Sequence, residues 1–256
     1  MPAEQFPAST WVVVAVTAAL VVVAAGFVAR GLVQRRQANG AERLARSLHL
    51  NARWWRERGD RAGELLYVAI GDSAAQGVGA SNPGRSYVGL IARHLRDRTG
   101  RSVRVLNLSV SGARLREAIA SQLPAIEGLE PDLMTVAIGA NDIAGFDRAR
   151  FAKELDRIYD ALPANAIVSE LPAFYLGRPE RDVAIANAIV HELAAEHGFE
   201  VAPLHRVTRH QGVARYALNQ VSADFFHPND RGYRVWASAF LPLVDSRFPA
   251  RDGGRS

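Results

Sequence analysis

From residue 65 onward the chain alternates short apolar runs with longer segments whose apolar residues recur at helical spacing. Continuous apolar runs are typical of strands covered on both faces, and a spacing of three or four is typical of helices that bury one face. The strands are predicted at 65–70, 103–109, 132–139, 166–171 and 199–204. The helices are predicted at 86–99, 115–123, 151–162, 180–197 and 229–248. This order predicts an α/β fold, a three-layer sandwich with a parallel five-stranded sheet flanked by helices.

The N-terminal part of the chain carries a different pattern. Residues 11–29 contain no charged side chain, and the longer stretch 11–33 contains a single charged residue, Arg30. About 20 residues cross a bilayer core as a helix, so we predict a transmembrane anchor at 11–33. A cleaved signal peptide is the competing interpretation. The flank 1–10 has no Lys or Arg and the apolar run is long, and both features favour an uncleaved anchor.

Charge on the two sides of the predicted anchor indicates its orientation. The N-terminal flank carries only one charged side chain, that of Glu4. Five arginines lie shortly after the uncharged run 11–29: Arg30, Arg35, Arg36, Arg43 and Arg46. The positive-inside rule therefore places a main domain, 65–248, in the cytoplasm as part of a single-pass membrane protein. The basic stretch 34–64 either lies on the anionic leaflet, with Trp54 and Trp55 as interfacial contacts, or forms a solvated linker. Residues 249–256 are predicted to be a flexible tail.

Composition excludes several kinds of chemistry. The chain has no cysteine, hence no disulfide framework, no thiolate nucleophile and no cysteine-based zinc site. Its only lysine, Lys153, lies in a predicted helix. The net charge of +5 comes from arginines scattered without a reading motif, so we expect no nucleic-acid partner. His191 and His197 stand six positions apart, which does not fit the zinc-binding pair of a helix, and we expect neither metal nor cofactor.

Unusual polar residues follow the predicted strands. Asp72 and Ser73 follow the first, "SGA" with Gly112 follows the second, and "GAND" with Asn141 follows the third. "DFFH", with Asp224 and His227, precedes the last helix. In open parallel sheets ligands bind beyond the carboxyl ends of the strands, so the four segments are expected to meet at one rim.

These four blocks, with "GDS" at Ser73, resemble those of the SGNH hydrolases, also called the GDSL esterase/lipase family. The resemblance covers about 65–245 and leaves out the N-terminal segments. It implies the family's flavodoxin-like sandwich and a serine hydrolase without a cofactor. One departure is Ala74, where the family usually has leucine, and it affects packing at the turn more than the chemistry.

The resemblance implies a role for each residue, and elementary chemistry agrees with it. Ser73 would be the nucleophile, His227 its base, and Asp224 the acid that holds the imidazole. The backbone N–H groups of Ser73 and Gly112 and the side-chain amide of Asn141 would form the oxyanion hole. Asp72 is expected to cap the helix that follows it, and Asp142 to orient neighbouring backbone.

The sequence thus predicts a membrane-anchored serine esterase that hydrolyses small-molecule or lipid carboxylic esters through an acyl-enzyme. Two alternatives remain: acyl transfer to a sugar or lipid hydroxyl on the same residues, and a binding module without turnover. Specificity loops are predicted at 143–150, 172–180 and 205–222. An apolar pocket is indicated by three aromatic residues of these loops and one of the "DFFH" block. They are Phe174, Tyr175, Tyr216 and Phe225.

Overall fold

The computed structural model describes residues 8–249, and within that range all side chains except those of 8–25, 29, 33, 36 and 41. The strands are β1 (Leu65–Gly71), β2 (Val103–Asn107), β3 (Leu133–Ala137), β4 (Ala166–Ser169) and β5 (Glu200–Ala202). The helices are α1 (Ala8–Gly59), α2 (Ser73–Gln76), α3 (Tyr87–Thr99), α4 (Leu115–Ser121), α5 (Arg148–Asp160), α6 (Gly177–His197), α7 (Leu204–His210), α8 (Val213–Arg215) and α9 (Asp230–Arg247). Short 3₁₀ turns occupy Pro83–Arg85, Pro124–Ile126 and Ala140–Ile143, and a π-helical turn occupies Tyr216–Gln220.

The strands form one parallel sheet in the order β2-β1-β3-β4-β5, which confirms the predicted α/β fold. Tyr67 in β1 pairs with Val105 on one side and with Leu133 on the other. The chain thus leaves β1 in one direction to form β2 and returns to form β3 on the opposite side. This reversal is the place where doubly wound sheets bind ligands, at the carboxyl ends of their strands.

Alternate side chains of β1 enter two separate hydrophobic cores. Leu65, Tyr67 and Ala69 pack with residues of α3 and α9 on one face of the sheet. Val68 and Ile70 pack with residues of α4, α5 and α6 on the other face. The period-two alternation of a strand produces this division, and the buried apolar area on both faces stabilises the three layers.

The last turns of α1 belong to the packed domain. Trp55 is 3% exposed and lies in the same core as Tyr67, and its Nε1 donates to the backbone oxygen of Gln76 across 3.2 Å. The expectation that Trp55 contacts a membrane surface is therefore wrong, because burial against the sheet removes its ring from solvent. Trp54 meets Trp55 edge-on and carries the guanidinium of Arg58 above its ring, 3.5 Å from the ring centroid.

Within the part of the chain whose side chains are described, no helix has the length and apolar character needed to cross a bilayer. The predicted anchor, 11–33, lies largely outside that part. So do most of the predicted flank, 1–10, and of the predicted tail, 249–256.

The segment 205–222, predicted as a loop, is largely helical. It contains most of α7, all of α8 and the π-helical turn Tyr216–Gln220. Each piece is too short to show an apolar stripe of helical period, and local contacts fix it instead, such as the bond from Thr208 Oγ1 to the carbonyl of Leu204. The other two predicted loops are shorter than expected, because α5 begins at Arg148 and α6 at Gly177.

Candidate active site

Ser73 is placed by the abrupt end of β1. The strand ends at Gly71 and α2 begins at Ser73, so only Asp72 lies between them. Asp72 caps the helix as predicted, because its Oδ1 accepts from the N–H of Ala74 across 2.9 Å. Gly77, with φ of 80°, ends the helix after one turn in the left-handed conformation that glycine adopts most easily. The hydroxyl therefore stands at the carboxyl edge of the sheet, and Ser73 is 8% exposed.

Gln122 fixes the residue before this turn and was not predicted. Its Oε1 accepts from the N–H of Gly71 across 3.0 Å, and its Nε2 donates to the carbonyl of Gly71 across 2.9 Å. The side chain is fully buried. One side-chain amide thus bonds both backbone polar groups of a single buried residue, which stabilises the turn. No motif marks a lone glutamine near the end of a helix, so the sequence carries no signal for this role.

Asp224 and His227 lie on a tight loop before α9. Val221 and Pro228 form an antiparallel bridge, and the N–H of Ser222 donates to the carbonyl of His227 across 2.8 Å. Within the loop, Oδ1 of Asp224 accepts from Ser222 Oγ at 2.8 Å and from the backbone N–H groups of Phe226 and His227 at 3.1 Å each. The carboxylate therefore organises the loop that carries it.

The three polar side chains meet in a continuous hydrogen-bonded row. His227 Nε2 lies 2.9 Å from Ser73 Oγ, and His227 Nδ1 lies 2.5 Å from Asp224 Oδ2. Burial alone would raise the pKa of Asp224, but the hydrogen bonds from His227 and from the Phe226 N–H outweigh it and hold the pKa well below its usual range. Because Asp224 is ionised, it accepts a hydrogen bond from the Nδ1–H of His227, so Nε2 is left unprotonated and accepts from the Ser73 hydroxyl.

The loop after β2 lies beside the serine turn. The N–H of Val110 donates to the carbonyl of Gly71 across 3.2 Å, and Gln76 Nε2 donates to the carbonyl of Ser109 across 2.6 Å. Gly112 follows with φ of 79° and open space where a Cβ would stand. In the described part of the chain, neither the N–H of Gly112 nor that of Ser73 has an acceptor. Both groups are available to an oxygen atom of a bound molecule.

Asn141 lies in the 3₁₀ turn after β3. Its Nδ2 donates to the carbonyl of Ala113 across 3.0 Å and to Oδ2 of Asp72 across a longer 3.3 Å. Asp142 beside it accepts from the N–H of Leu115 across 3.1 Å, so it orients backbone as predicted. Burial raises the pKa of Asp72 to about 6 and that of Asp142 to about 6.

A cavity of about 190 Å³ opens beside Ser73 and His227. The four aromatic residues expected at an apolar pocket all line it: Phe174, Tyr175, Tyr216 and Phe225. The rings of Tyr175 and Tyr216 lie 5.1 Å apart, and their hydroxyls donate to the carbonyls of Thr208 and Phe226. Tyr175 and Phe225 have φ values of 67° and 57°, a conformation that side chains of their size rarely adopt.

The two histidines considered as metal ligands pair with carboxylates outside this row. His191 bonds to Glu170 at 2.9 Å, and His197 bonds to Asp156 at 2.9 Å. Asp160 completes a group with His197 and Asp156 whose ligand atoms lie within 4.8 Å of one another. We assign no metal to that group, because His197 and Asp156 already bond to each other and Asp160 is exposed.

A hydroxyl, an imidazole and a carboxylate bonded in series, at the carboxyl edge of a parallel sheet and beside two free N–H groups, define the site of a serine hydrolase. Residues 69–235 match the GDSL-like lipase/acylhydrolase family. The match covers well over half of the chain. The chain belongs to this family, and it is a serine hydrolase of the SGNH type.

Individual relatives agree with this assignment. A lipase from Streptomyces rimosus is 28% identical in an alignment that covers 70% of this chain and 85% of the relative. The structure of an α/β hydrolase enzyme from the metagenome of Lake Arreo, Spain, is 25% identical and similar at a TM-score of 0.59, over 72% of this chain and 96% of that one. The lipase/acylhydrolase of Enterococcus faecalis, at 18% identity, shares the fold at a TM-score of 0.59 over 73% of this chain and 98% of its own.

Proposed function

We propose that the protein is an esterase that hydrolyses carboxylic esters through an acyl-enzyme on Ser73. The observation that carries the proposal is the row from Ser73 Oγ through His227 to Asp224, with distances of 2.9 and 2.5 Å. Ser73 Oγ attacks the ester carbonyl while its proton passes to His227 Nε2. The tetrahedral intermediate collapses, and the departing alcohol takes that proton. Water then attacks the acyl-enzyme, gives a proton to His227, and the carboxylic acid leaves as Ser73 recovers its proton.

The oxyanion formed in both steps needs hydrogen-bond donors aimed at it. We assign this role to the backbone N–H groups of Ser73 and Gly112, which have no acceptor among the described residues. Asn141 supplies a third donor when its longer bond, 3.3 Å to Asp72, is exchanged for the substrate oxygen. Donors already in place cost little reorganisation when charge develops, which is why such groups accelerate the reaction.

The cavity beside Ser73 suits a short acyl chain. Apolar and aromatic residues form most of its wall, including Pro172, Phe174, Tyr216 and Trp236. An apolar cavity of about 150 Å³ holds one benzene molecule, that is, six carbon atoms. The 190 Å³ at this site therefore fits an acyl chain of roughly six to eight carbons. The named relatives include lipases, and we infer that this chain accepts esters of shorter fatty acids.

Chromogenic esters of graded acyl length test this substrate class. The kcat/KM is expected to rise with chain length to about six to eight carbons and to rise no further. Tyr216→Ala opens the wall and should shift the optimum to longer chains. Tyr216→Phe, which keeps the ring and loses only the bond to the Phe226 carbonyl, serves as the matched control. An optimum that is the same in both variants contradicts the assignment of this cavity to the acyl chain.

The same assay separates hydrolysis from the two alternatives. Adding an acceptor alcohol gives a transferred ester if acyl transfer competes with water, and the free acid alone if the enzyme is an esterase. A protein that binds the esters without releasing product would be the binding module. Release of acid by wild type and none by Ser73→Ala supports the esterase.

For localisation, we infer from the sequence that residues 11–33 anchor the enzyme in a membrane with the catalytic domain on the cytoplasmic side. The uncharged run 11–29 and the arginines that follow it support this inference. A reporter fused after Ser256 should behave as cytoplasmic. Cleavage of the catalytic domain by protease added to intact cells contradicts that orientation.

A further inference from the structure

A second cavity, of about 300 Å³, lies between the end of α1, the Pro83–Arg85 turn and α3. It shares no residue with the cavity beside Ser73. Val103, Val105 and Trp54 contribute its apolar surface. Four arginines also line it: Arg58, Arg61, Arg93 and Arg96.

Three of these arginines have no acidic partner in the described part of the chain. Arg96 pairs with Asp97 at 2.9 Å, whereas no carboxylate lies within ion-pair distance of Arg58, Arg61 or Arg93. Burial lowers the pKa of Arg58 and the positive charge of Arg61 lowers it further, and together they outweigh the negative charge of Glu57, which raises it. Positively charged guanidinium groups thus lie close together around an open cavity. A bound anion would reduce the repulsion between them.

Helix dipoles account for only part of this cluster. Arg58 lies in the last turn of α1 and Arg96 in the last turn of α3, where cations are favourable. Arg61 follows directly after α1, whereas Arg93 lies mid-helix in α3 and gains nothing from a helix terminus. Arg58 is also held in place by its position 3.5 Å from the centroid of the Trp54 ring. The site is therefore partly organised before any ligand arrives.

We propose that this cavity, lined by Arg58, Arg61 and Arg93, binds the phosphate group of a phosphomonoester. Planar guanidinium groups pair with phosphate oxygens in a bidentate manner, and a phosphomonoester carries up to two negative charges, which suits several unpaired cations better than one carboxylate. The amide of Asn82 adds a neutral donor at the wall, because only its Oδ1 is engaged, by the N–H of Gly84. The volume exceeds that of a phosphate ion, so part of the attached molecule also enters. A soluble phosphate ester and a phospholipid headgroup share this chemistry.

Calorimetric titration of the full chain in detergent tests the proposal with three probes. Glycerol 3-phosphate represents a soluble phosphomonoester, and succinate a dianion without phosphate. The dihexyl ether analogue of phosphatidate, which has no ester for Ser73 to cleave, represents a lipid headgroup. We expect both phosphate probes to bind and succinate to bind at least about tenfold more weakly. Tighter binding of the phosphatidate analogue assigns the site to a lipid, and equal binding assigns it to soluble esters. Binding of neither, or equal binding of succinate, overturns the proposal.

Variants locate the binding. The triple substitution of Arg58, Arg61 and Arg93 by glutamine should weaken phosphate binding more than about tenfold. The same substitution at Arg148, Arg181 and Arg234, none of which lines this cavity, changes the net charge equally and should leave affinity within about twofold. Arg93→Gln alone, at an exposed position, gives the same direction of effect if the triple variant fails to fold. Equal losses in both triple variants show a diffuse charge effect and contradict a site.

Discussion

The backbone of Gly40 in α1 lies directly against the backbone of Ala223, the residue before Asp224. A Cβ at position 40 would overlap the carbonyl group of Ala223 and stand 2.9 Å from the backbone nitrogen of Asp224. The helix that leads into the domain therefore touches the loop that holds the acid of the active site. Glycine is required at this crossing because only hydrogen fits between the two backbones.

Substitution of Gly40 tests the crossing. Helix propensity alone predicts that alanine stabilises α1 by up to about 1 kcal/mol. The contact with Ala223 predicts the opposite, a loss of about 1–3 kcal/mol from overpacking together with lower esterase activity. Gly31→Ala, in the same helix with no atom near its added Cβ, is the matched control and should not lower stability. Thermal unfolding in detergent compares the stability of the two variants. Equal changes in stability would show that α1 does not pack against the loop that carries Asp224.

Asp72 should make stability depend on pH in an unusual direction. Its pKa is raised from 3.8 to about 6, so between these values the folded protein binds more protons than the unfolded chain, and stability falls as pH rises. Asp72→Asn imitates the protonated acid and removes this dependence. Relative to wild type, the variant should gain roughly 2 kcal/mol in free energy of unfolding between pH 4 and pH 7. Urea unfolding across that range measures the difference, and a constant difference would contradict the shifted pKa.

Gln122 should matter for both folding and activity. Gln122→Met keeps most of the volume but removes both bonds and takes the amide partner from the buried N–H of Gly71, while the Gly71 carbonyl keeps its bond from the N–H of Val110. An unpaired buried N–H destabilises by about 1–3 kcal/mol. Because Gly71 ends the strand that carries Ser73, kcat should fall as well. Gln211→Met removes a half-buried amide that does not contact Gly71 and should cost less on both counts. Wild-type stability in Gln122→Met would refute the role given to this side chain.

Asn141 should act on the transition state. Asn141→Ala is expected to lower kcat by about 10²–10³-fold with KM nearly unchanged. The hydrogen bond from the Asn141 amide strengthens only as negative charge develops on the substrate oxygen. Asn141→Asp should be at least as harmful, because a carboxylate repels the oxyanion. Asn165→Ala, which removes a bond to the Pro131 carbonyl away from the site, controls for loss of structure. A higher KM at constant kcat would mean that Asn141 only holds substrate.

Much of the fold follows from the periodicity of apolar residues. The five strands and their parallel arrangement agree with the structure. The three central strands, β1, β3 and β4, are buried on both faces and leave continuous apolar runs. The proximity of the turns after β1 and β3, which carry Ser73 and Asn141, also follows, since residues after parallel strands share one edge of the sheet. Asp72 and Asp142 perform the capping and orienting contacts expected of short acidic side chains in turns.

Other contacts leave no pattern in the sequence. The packing of α1 against the domain depends on Trp55 and Gly40. Both lie in a stretch whose arginines suggested contact with a membrane surface or with solvent. Gln122 acts through two bonds to a residue 51 positions away, and such a pairing has no local spacing. The four arginines of the second cavity come from two helices and a turn that only tertiary packing brings together.

Covalent labelling tests the central claim most directly. A fluorophosphonate should react once with the purified protein, and mass spectrometry should place the adduct on Ser73. Ser73→Ala should take up no label, and Ser111→Ala, which alters a serine of the neighbouring loop, should be labelled like wild type. An adduct on another serine, or unchanged labelling of Ser73→Ala, would contradict the assignment of Ser73 as the nucleophile.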